Sequence, residues 1–175
     1  MKPARTNDFM KICVYPGSFD PITNGHLQII ERALKIFDAV YIAVLHNPEK
    51  QPNFSFDDRI KMVKESAGSS KKIFVESFDG LLVDYAASIG ACAIIRGLRA
   101  VSDFEFEFQM ALTNAKMRPK IETVFLMTGY KYSYLSSSLV MRIAKLGGDV
   151  SDLVPPYVKK QLKFLQTKQK TERGK

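Results

Sequence analysis

A twelve-residue segment near the N-terminus combines residue types that bind phosphate. It covers residues 15–26 and reads Tyr-Pro-Gly-Ser-Phe-Asp-Pro-Ile-Thr-Asn-Gly-His. Gly17 lets the backbone approach a ligand, and Ser18 offers a hydroxyl beside it. His26 falls where a helix is predicted to begin, and the free N–H groups and dipole of a helix N-terminus attract anions. A histidine there can donate a hydrogen bond to a phosphate, although Pro-Gly and Asn-Gly are also ordinary turn signals.

Two further segments carry side chains suited to phosphate. Arg96 and Arg99 flank Gly97 at the predicted end of a strand, where guanidinium groups can fork onto phosphate oxygens. Arginines in a loop are often simply solvated, but the carboxyl end of a strand favours the functional interpretation. Ser137 and Ser138 combine hydroxyls with a predicted helix N-terminus. They suit phosphate binding and plain N-capping, and both can hold at once.

Short apolar segments alternate along the chain with segments of helical period. Strands are predicted at 11–15, 39–45, 72–75, 91–95 and 122–127. Helices are predicted at 27–37, from 55 onward, and at 81–89, 102–117, 137–146 and beyond the prolines at 155–156. This alternation indicates an α/β fold with a doubly wound, parallel, five-stranded sheet.

Helix start signals and sheet geometry narrow the search for the site. Ser55 and Ser102 each precede an acidic residue by three positions, so each is predicted to cap its helix. Ligands of such sheets bind beyond the carboxyl ends of the strands. The segments concerned are 17–24, 46–53, 96–101 and 128–135.

Three motifs resemble one enzyme family. Residues 23–26, Thr-Asn-Gly-His, match the T/H-x-G-H motif of nucleotidyltransferases. The whole of 15–26, and Arg-Gly-Leu-Arg-Ala-Val-Ser-Asp-Phe-Glu at 96–105, resemble the phosphopantetheine adenylyltransferase family. The serines at 136–138 resemble its third motif, and the likeness covers about residues 11–157.

The resemblance implies a Rossmann-like nucleotidyltransferase fold and a specific reaction. AMP would pass from ATP to 4′-phosphopantetheine, giving dephospho-coenzyme A and pyrophosphate, by direct in-line attack without a covalent enzyme intermediate. Mg²⁺ would accompany ATP, bound through its phosphates and not in a protein cage. The family also implies a homohexamer and feedback binding of coenzyme A.

The resemblance also assigns residues to roles. His26 would stabilise charge on the α-phosphate, Lys50 would bridge the nucleophile and that phosphate, and Ser18 and Arg99 complete the catalytic set. Without the family match, Lys50 reads as an exposed loop lysine. The implied ATP contacts are Ser18, Phe19, His26, Gly97, Arg99, Glu107, Ser136, Ser137 and Ser138. The implied phosphopantetheine contacts are Ser18, Lys50, Leu82 and Arg96.

The chain departs from the family pattern at a few positions. Ser18 stands where threonine is common, which keeps the hydroxyl, and Phe106 replaces a frequent tyrosine. Met141 and Arg142 stand where lysine and glutamate are often found. The charged contacts of that helix are therefore in doubt, and Arg142 is a candidate for a shifted cation.

Length and charge bound the class of protein. The 175 residues, 46% of them hydrophobic, suit a single domain with one substantial core. Residues 159–175 hold seven basic residues and one acid, so this tail carries +6 of the net charge of +8. A nearly neutral body predicts no dedicated nucleic-acid surface. The extension 1–9 and the tail 168–175 are expected to be flexible.

Location and cysteine chemistry follow from the same composition. No apolar run reaches the length of a membrane span, and no apolar segment of signal-peptide type precedes Met10. We therefore expect a cytoplasmic protein without membrane contact. Cys13 and Cys92 lie far apart in apolar runs, so both are expected to act as small core hydrophobes.

Three alternatives remain open at this point. The chain could be another nucleotidyltransferase, such as one acting on nicotinamide mononucleotide, although residues 96–105 count against it. It could bind nucleic acid through its basic tail. It could also be a nucleotide sensor that binds ATP and releases no pyrophosphate.

Overall fold

The computed structural model describes residues 10–45, 51–99 and 101–173, and for residues 101–103 and 166–173 it describes the backbone alone. The strands are β1 (Ile12–Gly17), β2 (Ala39–Leu45), β3 (Ile73–Phe78), β4 (Ala93–Leu98) and β5 (Glu122–Met127). The helices are α1 (Asn24–Ala33), α2 (Phe56–Ser66), α3 (Leu82–Ser88), α4 (Val101–Met117), α5 (Ser137–Lys145) and α6 (Pro156–Arg173). A short 3-10 helix, Tyr130–Tyr132, lies between β5 and α5.

The five strands form one parallel sheet in the order β3-β2-β1-β4-β5. The chain builds outward from β1 through β2 to β3, then crosses to the other side of β1 and adds β4 and β5. This order confirms the predicted doubly wound α/β fold. The strand order reverses between β1 and β4, and ligands of such sheets bind in the crevice beyond the strand ends at that point.

Apolar cores cover both faces of the sheet. Along β1, Cys13 and Tyr15 belong to the larger core, which α1, α2, α5 and α6 cover, while Val14 belongs to a smaller core on the opposite face with Val83 of α3. Successive side chains of a strand point to opposite faces, so a strand buried on both faces reads as a continuous apolar run. The run predicted at β2 is buried in this way.

Three local predictions need correction. The helix α4 begins at Val101, so Ser102 is its second residue and not its N-cap; a short sequence pattern does not determine which residue first takes helical dihedrals. Cys92 is exposed, unlike Cys13, because it lies before β4 with Ala91 and Ala93 taking the buried side. The strand β4 continues to Leu98, so the predicted loop 96–101 begins inside it.

The predicted cap of α2 is confirmed. The Oγ atom of Ser55 accepts a hydrogen bond from the backbone N–H of Asp58 at 3.2 Å.

Among the described helices, none is long and apolar enough to cross a membrane.

Candidate active site

The loop after β1 is built around a buried aromatic ring. Phe19 is 1% exposed, and its φ of +46° lies in the left-handed region that non-glycine residues rarely adopt. Its ring lies 5.7 Å from that of Tyr15 and 5.2 Å from that of His26, between ring centres. A Cβ atom on Gly17 would come within 2.8 Å of the Phe19 ring. The glycine is therefore needed for this internal contact, and any contact of Phe19 with a nucleotide would have to come from its backbone.

His26 closes a capping box with Thr23 at the start of α1. The backbone N–H of His26 donates to Oγ1 of Thr23 at 3.4 Å, and the backbone N–H of Thr23 donates to Nδ1 of His26 at 3.0 Å. A capping box normally has glutamate or glutamine in the position that His26 occupies. The imidazole is therefore held at the helix N-terminus by the backbone N–H of Thr23.

This arrangement also determines the protonation state of the ring. Because Nδ1 accepts from a backbone N–H, the proton of the neutral ring must lie on Nε2. Burial, together with the positive charge of Arg99, lowers the pKa of His26 to about 4. At neutral pH the ring is thus uncharged and offers an N–H donor at Nε2.

We predict a pH dependence of stability that comes from His26. Its pKa is about 4 in the folded protein and about 6.5 when unperturbed, so below about pH 6.5 the unfolded chain takes up a proton that the folded protein excludes. The free energy of unfolding therefore falls as the pH drops from about 6.5 towards 4. Denaturant titrations of the wild type and His26→Gln measure this: the unfolding free energy of the wild type minus that of the variant should fall as the pH drops below about 6.5. A difference that stays constant with pH would contradict the assignment.

Arg99 links the end of β4 to the serine turn. Its Nη1 donates to the carbonyl oxygen of Leu135 at 3.4 Å, one residue before the N-cap of α5. The same guanidinium acts on the pKa of His26. The structure therefore brings Arg99, His26 and the start of α5 together, as the sequence predicted for the strand ends.

Arg96 is held in an ion pair with Glu107 of α4. Its Nε and Nη2 atoms donate to the two carboxylate oxygens at 2.6 and 2.5 Å, a bidentate arrangement. Its Nη1 donates to the carbonyl oxygen of Pro16 at 3.4 Å. The two arginines of the motif thus make different contacts: Arg96 is forked on the carboxylate of Glu107, and Arg99 donates to the backbone of Leu135.

The serine turn opens α5 and contacts the loop after β1. Oγ of Ser136 accepts from the backbone N–H of Leu139 at 3.1 Å, which makes Ser136 the N-cap. Oγ of Ser137 donates to the carbonyl oxygen of Pro21 at 2.7 Å. Ser138 is exposed. The cap is therefore Ser136 and not Ser137 or Ser138, and Ser137 instead joins the start of α5 to the loop after β1.

Three further residues of the predicted site are Lys50, Leu82 and Gly97. Lys50 falls outside the described residues. Leu82 is the first residue of α3 and packs against the smaller core. A Cβ atom on Gly97 would come within 3.2 Å of the Ile29 side chain, so close packing of α1 on β4 favours a glycine here independently of any ligand.

Sequence reasoning missed two residues that hold the loops. Arg59 of α2 is buried and donates to backbone carbonyls, and Asp20 accepts from backbone N–H groups across the site. A signal for Arg59 does exist, because Phe56, Arg59 and Val63 follow a helical spacing of three and four. An arginine on the apolar face of a helix is a candidate for a buried, hydrogen-bonded role.

The comparisons agree with this fold. The model of the cytidylyltransferase-like family matches residues 14–143. The nicotinic acid mononucleotide adenylyltransferase of Plasmodium falciparum, solved in complex with NaAD, superposes with a TM-score of 0.59. At 17% identity over 87% of this chain and 94% of that one, the likeness shows the fold alone. The fold and the Thr-Asn-Gly-His site thus define a nucleotidyltransferase of the cytidylyltransferase-like class.

Similar curated proteins place the chain within that class. The phosphopantetheine adenylyltransferase of Geotalea daltonii is 57% identical over 153 residues, or 87% of this chain and 95% of that protein. The phosphopantetheine adenylyltransferase of Caldanaerobacter subterraneus is 54% identical over 153 residues, or 87% and 96%. The chain belongs to the phosphopantetheine adenylyltransferase family and is an enzyme.

Proposed function

We propose that the enzyme transfers AMP from ATP to 4′-phosphopantetheine, giving dephospho-coenzyme A and pyrophosphate in coenzyme A biosynthesis. The observation that carries this proposal is the position of the His26 imidazole. Its Nδ1 accepts a hydrogen bond from Thr23, so the neutral ring carries its proton on Nε2, which that hydrogen bond does not use. The positive charge of Arg99 lies beside the ring. The names of the relatives support the choice of acceptor.

The reaction is a single in-line displacement. A phosphate oxygen of the acceptor attacks the α-phosphorus of ATP and forms a new P–O bond, while the bond to the bridging oxygen between the α- and β-phosphates breaks. The electron pair leaves with pyrophosphate, and no covalent enzyme intermediate forms. Two polyanions must meet, so positioning and charge stabilisation supply most of the catalysis.

His26 and Arg99 act on the ATP phosphates. The Nε2–H of His26 donates to an α-phosphate oxygen, and it needs no reorganisation because Nδ1 is already held. A neutral donor also avoids the desolvation cost of a buried imidazolium. Arg99, with the hydroxyl groups and N-terminus of α5, contacts the β- and γ-phosphates. Ser18 and Lys50 complete the set by resemblance.

Arg96 receives the phosphate of the acceptor. Because Glu107 occupies both Nε and Nη2, that phosphate must share the guanidinium with the carboxylate or displace it. Leu82 contacts the pantetheine arm by resemblance. Glu107 is thus placed to limit how tightly the acceptor binds.

Mg²⁺ binds together with ATP, as the Mg-ATP complex. Among the described residues, no group of three or more histidine, cysteine or acidic side chains could hold a metal ion. Phosphate oxygens and water are the ligands Mg²⁺ commonly keeps in such sites.

Product analysis tests the reaction directly. After incubation with Mg-ATP and 4′-phosphopantetheine, mass spectrometry should detect dephospho-coenzyme A in amounts equal to pyrophosphate. With ATP made chiral at the α-phosphorus, a single displacement inverts the configuration. Retention would instead point to a covalent enzyme intermediate and would overturn the in-line step.

We also propose a homohexamer: the family resemblance implies six subunits, and the exposed apolar surface of α4 supports association between chains. α4 exposes large apolar side chains on several sides, and a monomer rarely leaves so many together. They are Phe104, Phe106, Phe108, Met110, Leu112 and Met117. Sedimentation equilibrium should give six times the chain mass of 19.8 kDa, and a monomer at micromolar concentration would refute the proposal.

A cytoplasmic location and feedback binding of coenzyme A complete the proposal. Coenzyme A contains the phosphopantetheine group of the acceptor, so it should compete with 4′-phosphopantetheine for the same site. Competitive inhibition by coenzyme A is the expected result in steady-state assays.

A further inference from the structure

Arg59 is a buried arginine beneath the loop that follows β1. It is 3% exposed, and its Nη1 donates to the carbonyl oxygens of Ser18 at 2.7 Å and Leu45 at 3.0 Å. Its guanidinium carbon lies 5.1 Å from the centre of the Phe56 ring. Among the described residues, no carboxylate forms an ion pair with it, and its buried Nε has no hydrogen-bond partner.

Such a side chain is a costly way to fill space. Burying a guanidinium without a paired carboxylate is unfavourable, and burial accordingly lowers the pKa of Arg59, an effect that the charge of Asp20 opposes. Methionine would fill the same volume at lower cost. Unlike methionine, arginine donates hydrogen bonds. Both acceptors of Arg59 are backbone carbonyl oxygens at the edge of the site.

Asp20 makes a second connection between the same segments. Its Oδ2 accepts from the backbone N–H of Asn53 at 2.8 Å and from Nδ2 of Asn53 at 3.0 Å, and its Oδ1 accepts from the backbone N–H of Phe54 at 3.0 Å. Oδ1 of Asn53 in turn accepts from Nζ of Lys145 in α5 at 2.9 Å. The loop after β1 is thereby joined to the chain that enters α2.

The two connections hold both flanks of the segment that contains Lys50. Leu45 precedes this segment and is held by Arg59, while Asn53 follows it and is held by Asp20. Lys50 itself lies outside the described residues. In the proposed reaction Ser18 serves the reacting phosphates, so the position of its backbone relative to the end of β2 affects the geometry of attack.

We propose that Arg59 and Asp20 are positioning residues for nucleotidyl transfer, which fix the backbone of Ser18 relative to the end of β2 without touching substrate. This inference rests on the proposed function. A displacement of about 1 Å at a reacting group can cost about 100-fold in rate. The effect should therefore appear in kcat more than in binding.

The test uses four single variants of the full chain. Arg59→Met removes the donors, Arg59→Lys restores a charge and a donor, and Asp20→Asn removes one acceptor. Lys61→Met is the matched control, because Lys61 lies exposed on the same helix. Pyrophosphate release with Mg-ATP and 4′-phosphopantetheine gives kcat and KM, and thermal melts give the folded fraction.

The expected pattern separates positioning from stability. Arg59→Met should lower kcat per folded molecule by about 10- to 100-fold with KM for ATP within about threefold, and Arg59→Lys should recover part of the loss. Lys61→Met should match the wild type. In the Arg59→Met/Asp20→Asn double variant, kcat should fall by less than the product of the two single decreases, because both residues hold the same loop in place.

Several results would overturn the inference. They are a wild-type kcat in folded Arg59→Met, a change confined to melting temperature or KM, and a fully multiplicative double variant. Should Arg59→Met fail to fold, Arg59→Lys and Asp20→Asn decide on the same criteria.

If the wild type shows no nucleotidyl transfer, the proposed function is rejected. The connection that Arg59 and Asp20 make between the two segments is then still testable. Hydrogen exchange of the Asn53 and Phe54 amides then decides. Both amides donate to Asp20, so faster exchange in Asp20→Asn than in Lys61→Met supports this connection, and equal exchange rejects it.

Discussion

His26→Ala is expected to lower kcat for nucleotidyl transfer by about 10²- to 10³-fold, the usual effect of removing one preorganised donor to a developing negative charge. The imidazole offers Nε2–H from a ring whose other nitrogen is held by Thr23. Steady-state pyrophosphate release at saturating Mg-ATP measures the effect. A loss of less than about fivefold would show that His26 does not serve the transition state.

His26→Gln is the matched control for stability. Glutamine is a normal partner in a capping box, so it can accept from the backbone N–H of Thr23 as the histidine does. We expect alanine to cost about 1 kcal/mol of unfolding free energy and glutamine to recover most of it. Neither variant should recover the kcat of the wild type. If His26→Gln restored kcat together with the helix cap, the role of His26 would be structural only.

Phe19→Ala is the second change with a large expected effect, on both stability and activity. The ring is 1% exposed and contacts Gly17, Tyr15 and His26, so its removal should cost about 3–5 kcal/mol of unfolding free energy. The vacated space also frees the imidazole of His26. Denaturant titration measures the stability, and kcat is measured at a temperature where the variant remains folded.

Phe37→Ala separates the two effects of the Phe19 change. Phe37 is 7% exposed in the same core, but it lies two residues before β2, at the opposite end of the sheet from the site. It should lose comparable stability and keep the kcat of the wild type when folded. Equal kcat values in the two variants would contradict the role of Phe19 in holding His26. Phe19→Leu replaces Phe19→Ala if the alanine variant does not fold.

The sequence predicts the fold well because its signals are periodic. The run at 39–45 can hardly be other than a strand covered on both faces, and β5 lies at its predicted position. Alternation of strands and helices then implies the parallel sheet, and the sheet implies where the site lies. Motif residues on different strands meet because parallel strand ends share one edge.

The contacts within the site depend on tertiary structure and were not predictable in this way. Glu107 lies eleven residues from Arg96, and only the packing of α4 beside β4 brings the carboxylate to the guanidinium. The requirement for Gly17 comes from the Phe19 ring, a local fold that no spacing rule describes. The spacing on α2 indicates that Arg59 lies on the apolar face, but its acceptors on Ser18 and Leu45 come from distant segments that only the fold brings together.

The most direct test of the central claim is pyrophosphate release from Mg-ATP with 4′-phosphopantetheine, measured beside nicotinamide mononucleotide as acceptor and His26→Ala as control. Release that requires 4′-phosphopantetheine and is nearly lost in His26→Ala is the predicted result. Release only with nicotinamide mononucleotide would contradict the acceptor, and no release with any acceptor would contradict the transfer itself.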